Sequence, residues 1–600
     1  MPKKIVAPIN YTARDFESIK DSLVEYAKRY YPDTYKDFNE ASFGSLMLDT
    51  VSYIGDILSF YVDYQANESF LDTALEYKNI VKLAKQLGFK YPGSPSAHGE
   101  VALYALIPAN STGTGPDEDY YPVLKRGSGF SSTAGTKYML TEDVDFSNPD
   151  NEIVVAKSNS TTGTPTYYAV KAFGKIISGE IKSELVEVGS YTKFKQIELA
   201  DAEDISEILE VIDSSGQEYF QVDYLSQDVI YKEFTNPTVA DQQYAPKIIK
   251  PVTVPRRFVF EREPARAYLQ FGYGSESDLS SDQIVDPTNI LLEMTGKDYI
   301  TDSSFDPYNL ISSDKFGVVP TDTTLEIIYR TNNSDSTNAP VGAITNVVDG
   351  TFRFTNVFNL DSSKVSDVRS SLEVINETPI VGDTDYIDSE NIKTRAVGAF
   401  YSQNRAVTTQ DYKTLCYSMD SRYGSIKRCN LITDQDSFKR NLNLYVISED
   451  AAGKLITTNK SIKDNLKTWL NNYKMISDTI DILDARVINL GIDFSVTSEL
   501  NSNKGEVLQK CIAALKEYFN KCADIGEHFY ITKIYSILNN VPGVVDTTSV
   551  KIKRMTGDNY SSVYYDIKNN RSADGKSILI PKNVIYEIKY MNDDIRGIVK

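Results

Sequence analysis

The sequence predicts a multidomain α+β protein on three observations. Its 600 residues exceed what one hydrophobic core holds, since single cores stop growing near ~250–300 residues. The first ninety residues space apolar side chains as helices do, whereas residues 97 to 385 alternate in short runs between polar loops. From about residue 389 onward, strand-like runs and amphipathic helical stretches follow one another. The expected organisation is therefore N-terminal helices over 1–92, a β-rich middle region of one or two domains over 97–385, α+β modules of split βαβ (ferredoxin-like) type over 389–550, and a strand-rich extension over 551–600.

The first helix is announced by "YTARDFESI". Thr12 as N-cap with Asp15 at N3 has the form of a capping box, and Tyr11 and Phe16 fall at the staple positions. Phe16, Ile19, Leu23, Tyr26, Ala27 and Tyr30 then share one stripe, and "YYPD" ends the helix.

The second helix, from about Phe43 to Tyr64, has an unusual distribution. Ser45, Asp49, Ser52, Asp56, Ser59 and Asp63 recur at alternating steps of four and three and so line one narrow polar stripe. Apolar residues fill roughly two-thirds of the circumference, against a little over ~100° on an ordinary surface helix. Such a helix needs neighbours on more than one side. Leu46, Met47, Val51, Ile54, Ile57, Leu58 and Tyr61 are the candidate subunit interface, with Ile54 opposite the polar stripe. A third helix is expected over Phe70 to Leu87 with Gly88 as its C′ residue. "YPGSPSAHG" then reads as a linker, which makes His98 a solvated loop residue.

In "QNRAVTTQDYKTL" the same helix start returns, with Thr408 as cap, Asp411 at N3, and Val407 and Tyr412 as a staple pair. Helices carrying Ile462, Leu466, Trp469 and Leu470, and then Val507, Cys511, Ile512 and Leu515, alternate with strands. Residues from about 389 onward are expected to fold without the N-terminal helices.

Composition excludes several classes. A net charge of -20 opposes non-specific nucleic-acid binding, which needs a basic face. The most apolar stretch, "SLMLDTVSYIGDILSFYVDY", carries Asp49, Asp56 and Asp63 and is not expected to insert into a membrane. Four cysteines are too few for a disulfide framework, and the opening "MPKKIVAPINY" lacks a secretory core, so a reducing cytoplasm is the expected place of synthesis. The 41 tyrosines supply stiff contact area of the kind found at protein interfaces.

The sequence carries few residues suited to catalysis. Triads that need a histidine can draw only on His98 and His528. His528 follows Cys522 without a zinc-like spacing, and Cys511 sits on an apolar helix face as a core residue. "ADGKSILIP" lacks the earlier glycine of a phosphate loop, having Asn570 there, and reads as a turn at Asp574 and Gly575. No catalytic, cofactor-binding or metal-binding residue is singled out. The expectation is a structural protein without cofactor and without enzymatic activity.

The residues also resemble a family. "RAVTTQDY" is similar to the signature of baseplate J-like proteins, and "NYTARDFESIKDSL", "FGSLMLDTVSYIGDILSFYVDYQANESFLDTA" and "SIKDNLKTWLNNYKMISDTIDILDARVINLGIDFSV" resemble the large baseplate wedge subunit of contractile-tailed bacteriophages. The resemblance covers roughly residues 9 to 92 and 389 to 550. It implies a structural virion protein, assembled in the host cytoplasm. Two copies would pair within a wedge, join a second wedge protein through a helical bundle, and meet neighbouring wedges and central hub proteins in a ring that rearranges on sheath contraction. A virion-borne polysaccharide hydrolase and a baseplate subunit of a non-viral contractile injection system are the alternatives. The apolar helix separates the hydrolase from the other two, since a self-contained enzyme domain has no need of partners around it.

Overall fold

A computed structural model describes residues 15–33, 42–91, 93–202, 204–235, 247–263, 266–275, 315–332, 336–355, 360–384, 388–434, 441–500, 502–521, 523–557 and 559–600. The protein is mixed α+β, with a helical N-terminus and a β-rich body. Two compact units emerge, one of Met1–Lys90 with Ile387–Phe400 and one of Tyr91–Tyr386 with Tyr401–Lys600.

In the first unit, helix α1 spans Phe16–Tyr30. Asp15, not Thr12, is its N-cap: the backbone there is extended and the carboxylate accepts from the Ser18 N–H at 3.2 Å. Asp15 therefore stands outside the helix and not at N3; Thr12 and Tyr11 lie outside the described residues. Aspartate is as good a cap as threonine or better, so the box written in the sequence gives way to the residue nearer the apolar stripe. The Ser18 hydroxyl, and then its N–H, hold the Asp15 carboxyl below its ordinary pKa.

Helix α2 runs over Phe43–Asn67, capped by Ser42. The helix expected from Phe70 starts later, because α3 covers only Tyr77–Gln86. The cause is Glu68, a side chain only 6% exposed. Its carboxylate accepts from the Leu75 N–H at 2.7 Å, the Glu76 N–H at 3.2 Å and Asn79 Nδ2 at 2.9 Å, which fixes a turn where a helix would otherwise continue. Gly88, at φ +91°, takes the C′ position and the Phe89 N–H folds back to the Ala84 carbonyl. Helix α4, Ser389–Ser402, contributes residues up to Phe400 to this unit, and Lys393 Nζ donates to the Asp72 carbonyl at 3.0 Å.

The second unit holds everything else. Strand β1 (His98–Pro108) pairs antiparallel along its length with β2 (Pro165–Ser178), and their inward residues Val101, Leu103, Ile107, Val170, Ala172 and Ile176 are part of one core. Beside it, β3 (Glu180–Val188) and β4 (Ile205–Asp213) flank β5 (Thr323–Thr331) in a three-stranded sheet.

Helix α5, Thr409–Tyr417, begins in a full capping box: Thr408 Oγ1 accepts from the Asp411 N–H at 3.2 Å, and the Asp411 carboxylate accepts from the Thr408 N–H at 2.8 Å. Tyr412 is buried but Val407 is 56% exposed. After α5 come β6 (Arg428–Thr433) and β7 (Asn441–Glu449), then helix α6 (Lys460–Asn471) and β8 (Thr479–Asp484), which returns parallel to β7. The long β9 (Arg486–Ser498) is followed by helices α7 (Lys504–Phe519) and α8 (Ile531–Asn539). It pairs antiparallel with β10 (Val544–Arg554) and parallel with β11 (Val584–Glu587) and β12 (Ile595–Val599). The last fifty residues thus complete the sheet of β9.

The β-rich middle and the chain after residue 400 share one core. Val381 packs with Tyr412, Leu415, Ile462 and Leu466. Gly382, at φ +127°, lies where a Cβ would come within 2.9 Å of the Ile462 side chain, and Gly424, at φ +91°, closes on the same residue at 3.0 Å. A fragment starting near 389 would lose Val381 and bare Ile462, so its expected independence does not follow from this packing.

Candidate assembly surface

Helix α2 is inverted relative to an ordinary amphipathic helix. Its two buried side chains are Ser45 and Ser52, at 4% and 0% exposure, while Leu46, Met47, Val51, Ile54, Leu58 and Tyr61 are about half exposed, from 49% to 61%; Ile57 is partly buried. The polar stripe faces the chain's own α1, where small side chains allow close approach. Asp49 pairs with Lys20 at 2.7 Å, and Ile19 lies against Gly55. Serine hydroxyls can be buried cheaply because they bond back along the helix, as Ser52 does to the Leu48 carbonyl at 2.8 Å. The sequence locates the stripe and the arc; which of them α1 covers depends on the placement of α1.

A second polar cluster lies inside the second unit. Arg330 of β5 is fully buried; its Nε donates to Glu207 Oε1 at 2.8 Å and its Nη1 to the Ser178 carbonyl. Arg262 donates to the Ser206 carbonyl, and Asn332 Nδ2 to Ser206 Oγ and the Pro95 carbonyl, each at 2.9 Å. Burial depresses the pKa of both guanidiniums. The Ser96 N–H reaches the Ser421 carbonyl at 3.2 Å, and Asn338 Nδ2 the Glu449 carbonyl at 3.1 Å. This lattice ties strands of the middle region to residues after 400. It was not legible from the sequence, because its members are isolated polar residues in otherwise ordinary strands.

His98 belongs to this junction and corrects the loop expected there. It is 9% exposed, begins β1, and places Nε2 2.9 Å from the Arg422 carbonyl. Burial pushes its pKa down to about 4, opposed by the hydrogen bond to Arg422. A histidine held neutral in the fold but titrating near ~6.5 when unfolded binds its proton only in the unfolded chain between those values. Stability is therefore complete above pH 6.5 and falls as the pH drops towards 4, by about 3 kcal/mol for a shift of this size at ~1.4 kcal/mol per unit. Urea midpoints at pH 7 and pH 4.5, measured for the wild type and His98→Gln, should converge at the lower pH. Equal separation at both would mean that His98 does not titrate this way.

Other residues singled out by sequence have structural places. His528 Nδ1 accepts from the Ile580 N–H at 3.1 Å, Cys511 is buried in the core beneath β9, and Asp574 and Gly575 form a turn. Among the described residues no group of three or more His, Cys, Asp or Glu could hold a metal ion, and no helix is long and apolar enough to cross a membrane.

No curated protein matches the chain. Among solved structures, the chain is similar over 96% of its length to 98% of a chain in the anti-feeding prophage (AFP) baseplate, at 10% identity and a TM-score of 0.28. Over 72% it is similar to 96% of a chain in the type VI secretion system TssK-TssF-TssG baseplate subcomplex, at 7% identity and a TM-score of 0.24. Likeness this loose bears on neither function nor partners. The segment holding α1 to α3 is a different matter: residues 15–86 match the family described as bacteriophage baseplate protein, N-terminal domain, and that match supports reading the chain as a baseplate protein.

Proposed function

We propose that the chain is a structural, non-catalytic subunit of a tail baseplate wedge, and that the apolar arc of α2 enters a helical bundle with a second copy and a different wedge protein. In the assembled tail, wedges built this way meet around a central hub and shift when the sheath contracts. One observation carries the reading: on the segment matched to the baseplate family, a helix buries Ser45 and Ser52 and leaves Leu46, Ile54, Leu58 and Tyr61 half exposed. Apolar surface of this extent on one helix marks an interaction site. The same physics serves a phage tail and a non-viral contractile device. Negative-stain imaging of the purified chain mixed with its neighbouring gene products should show ordered wedges or rings. Separate particles under all mixing conditions would count against the wedge role.

A further inference from the structure

The net charge of the chain is unevenly distributed. Residues 101–400 hold 24 Lys and Arg against 46 Asp and Glu, whereas residues 401–600 hold 28 against 23. The cationic excess gathers in the final fifty residues, where ten basic residues stand against six acidic ones. Part of it has a defined place. On the sheet of β9, Asp493 stands opposite Lys551 of β10 and Arg596 of β12, and Gly491 stands opposite Lys553, so these side chains share one face. Ile492, Phe494 and Val496 point to the other face and are buried in the core that α7 and α8 help to cover. Lys551, Lys553 and Arg596 are exposed, beside Ile598 at 66% exposure. Asp493 pairs with Lys553, and Asp546, opposite Thr497, is a second carboxylate on this face, so its three exposed cations exceed its two carboxylates by one.

The acidic excess is also on the surface. Glu118, Asp119, Asp145, Asp150 and Glu152 are exposed in the β-rich middle; of the stretch 141–152, Glu142 and Asp143 pair with Lys175 and Lys125. Two surfaces of opposite sign on one chain attract across copies, and a contact between different patches is heterologous, the kind that builds rings or open chains.

We propose that the outer face of the sheet of β9, carrying Lys551, Lys553 and Arg596, docks against the acidic β-rich region of a second copy of this chain. The contact is independent of α2. It is electrostatic, so it steers association and weakens as salt shortens the Debye length from ~10 Å at 0.1 M to ~3 Å at 1 M.

The test uses the full chain carrying Ile54→Asp, which removes association through the α2 arc. Sedimentation velocity across a concentration series at 50 mM and 500 mM NaCl gives the association constant. It should fall at least tenfold between the two salts. At 50 mM it should fall at least tenfold again on adding Lys551→Glu, Lys553→Glu and Arg596→Glu, three exposed substitutions whose folding is checked by circular dichroism. Reversing the acidic side with Glu118→Lys, Asp119→Lys and Asp150→Lys should also abolish self-association, and mixing the two reversed chains should restore it. A chain monomeric at 50 mM NaCl, or association untouched by either reversal, overturns the proposal. So does loss of binding to duplex DNA or anionic vesicles in the basic-face variant with self-association intact, since the face would then serve a different polyanion. The wedge reading stands or falls separately, on chains with Ile54 intact.

Discussion

Ile54→Asp should abolish co-purification with the partner wedge protein while leaving the isolated chain folded. Both halves follow from where Ile54 sits. It is half exposed in the chain alone, so a carboxylate there stays in water and costs the monomer little. In a bundle it would lie at the middle of the apolar arc, and an unpaired buried carboxylate costs several kcal/mol. At ~1.4 kcal/mol per decade, about 3 kcal/mol is roughly a hundredfold in the dissociation constant. The margin of assembly makes this decisive. Completing the burial of half-exposed apolar side chains returns roughly 1 kcal/mol each, so the six half-exposed arc residues offer a gain of the same order as the cost of association, roughly 4–15 kcal/mol. Losing several kcal/mol from such a balance removes the complex. Asp56→Asn, on the stripe that faces α1, is the control and should be retained like the wild type. Equal retention of both variants would show that no bundle is centred on this helix.

The two helix starts written alike in the sequence show how far local rules reach. Thr408 and Asp411 bond reciprocally as a capping box, whereas in the earlier phrase the aspartate itself caps the helix. Side-chain spacing alone does not choose between two caps of equal strength three residues apart. The polar stripe of α2 could be located residue by residue from its period, yet its burial could not, because period states which residues share a face and not what covers the face. The strand that starts at His98 is hidden in the sequence for a related reason. "YPGSPSAHG" has the composition of a linker, but the strand begins at its last residues because the N–H and carbonyl of His98 pair with Val381, 283 positions later in the chain. The start of the third helix was lost to a single carboxylate, Glu68, whose acceptors reach forward to Leu75, Glu76 and Asn79. Sheet order in the middle region joins local hairpins, such as Phe130 with Tyr138, through such distant pairings.

Arg330→Met should be among the most damaging single changes in the second unit, costing about 3–5 kcal/mol, and the effect should be partly reversed by Glu207→Gln. Arg330 is fully buried and Glu207 largely so, with side-chain exposures of 0% and 23%. Removing the guanidinium takes from the carboxylate the cation that donates to it, leaving Arg262 as a neighbouring positive charge, and takes from the Ser178 carbonyl its arginine donor. Breaking a buried pair from one side is more destructive than replacing both members, since the remaining charge has been taken from water and given nothing in return. Methionine keeps most of the arginine stem's volume, so the cavity contribution stays small and the electrostatic one dominates. The double variant removes the orphaned charge as well, and should recover at least half of the loss. Urea unfolding monitored by the single tryptophan, Trp469, reads the junction from its far side, because Trp469 packs on the core that Val381 shares with Ile462 and Leu466. A loss carried through the junction should therefore move the Trp469 transition. A Trp469 midpoint unmoved by Arg330→Met would show that the middle region and the chain after residue 400 unfold separately, and that the polar junction does not couple them.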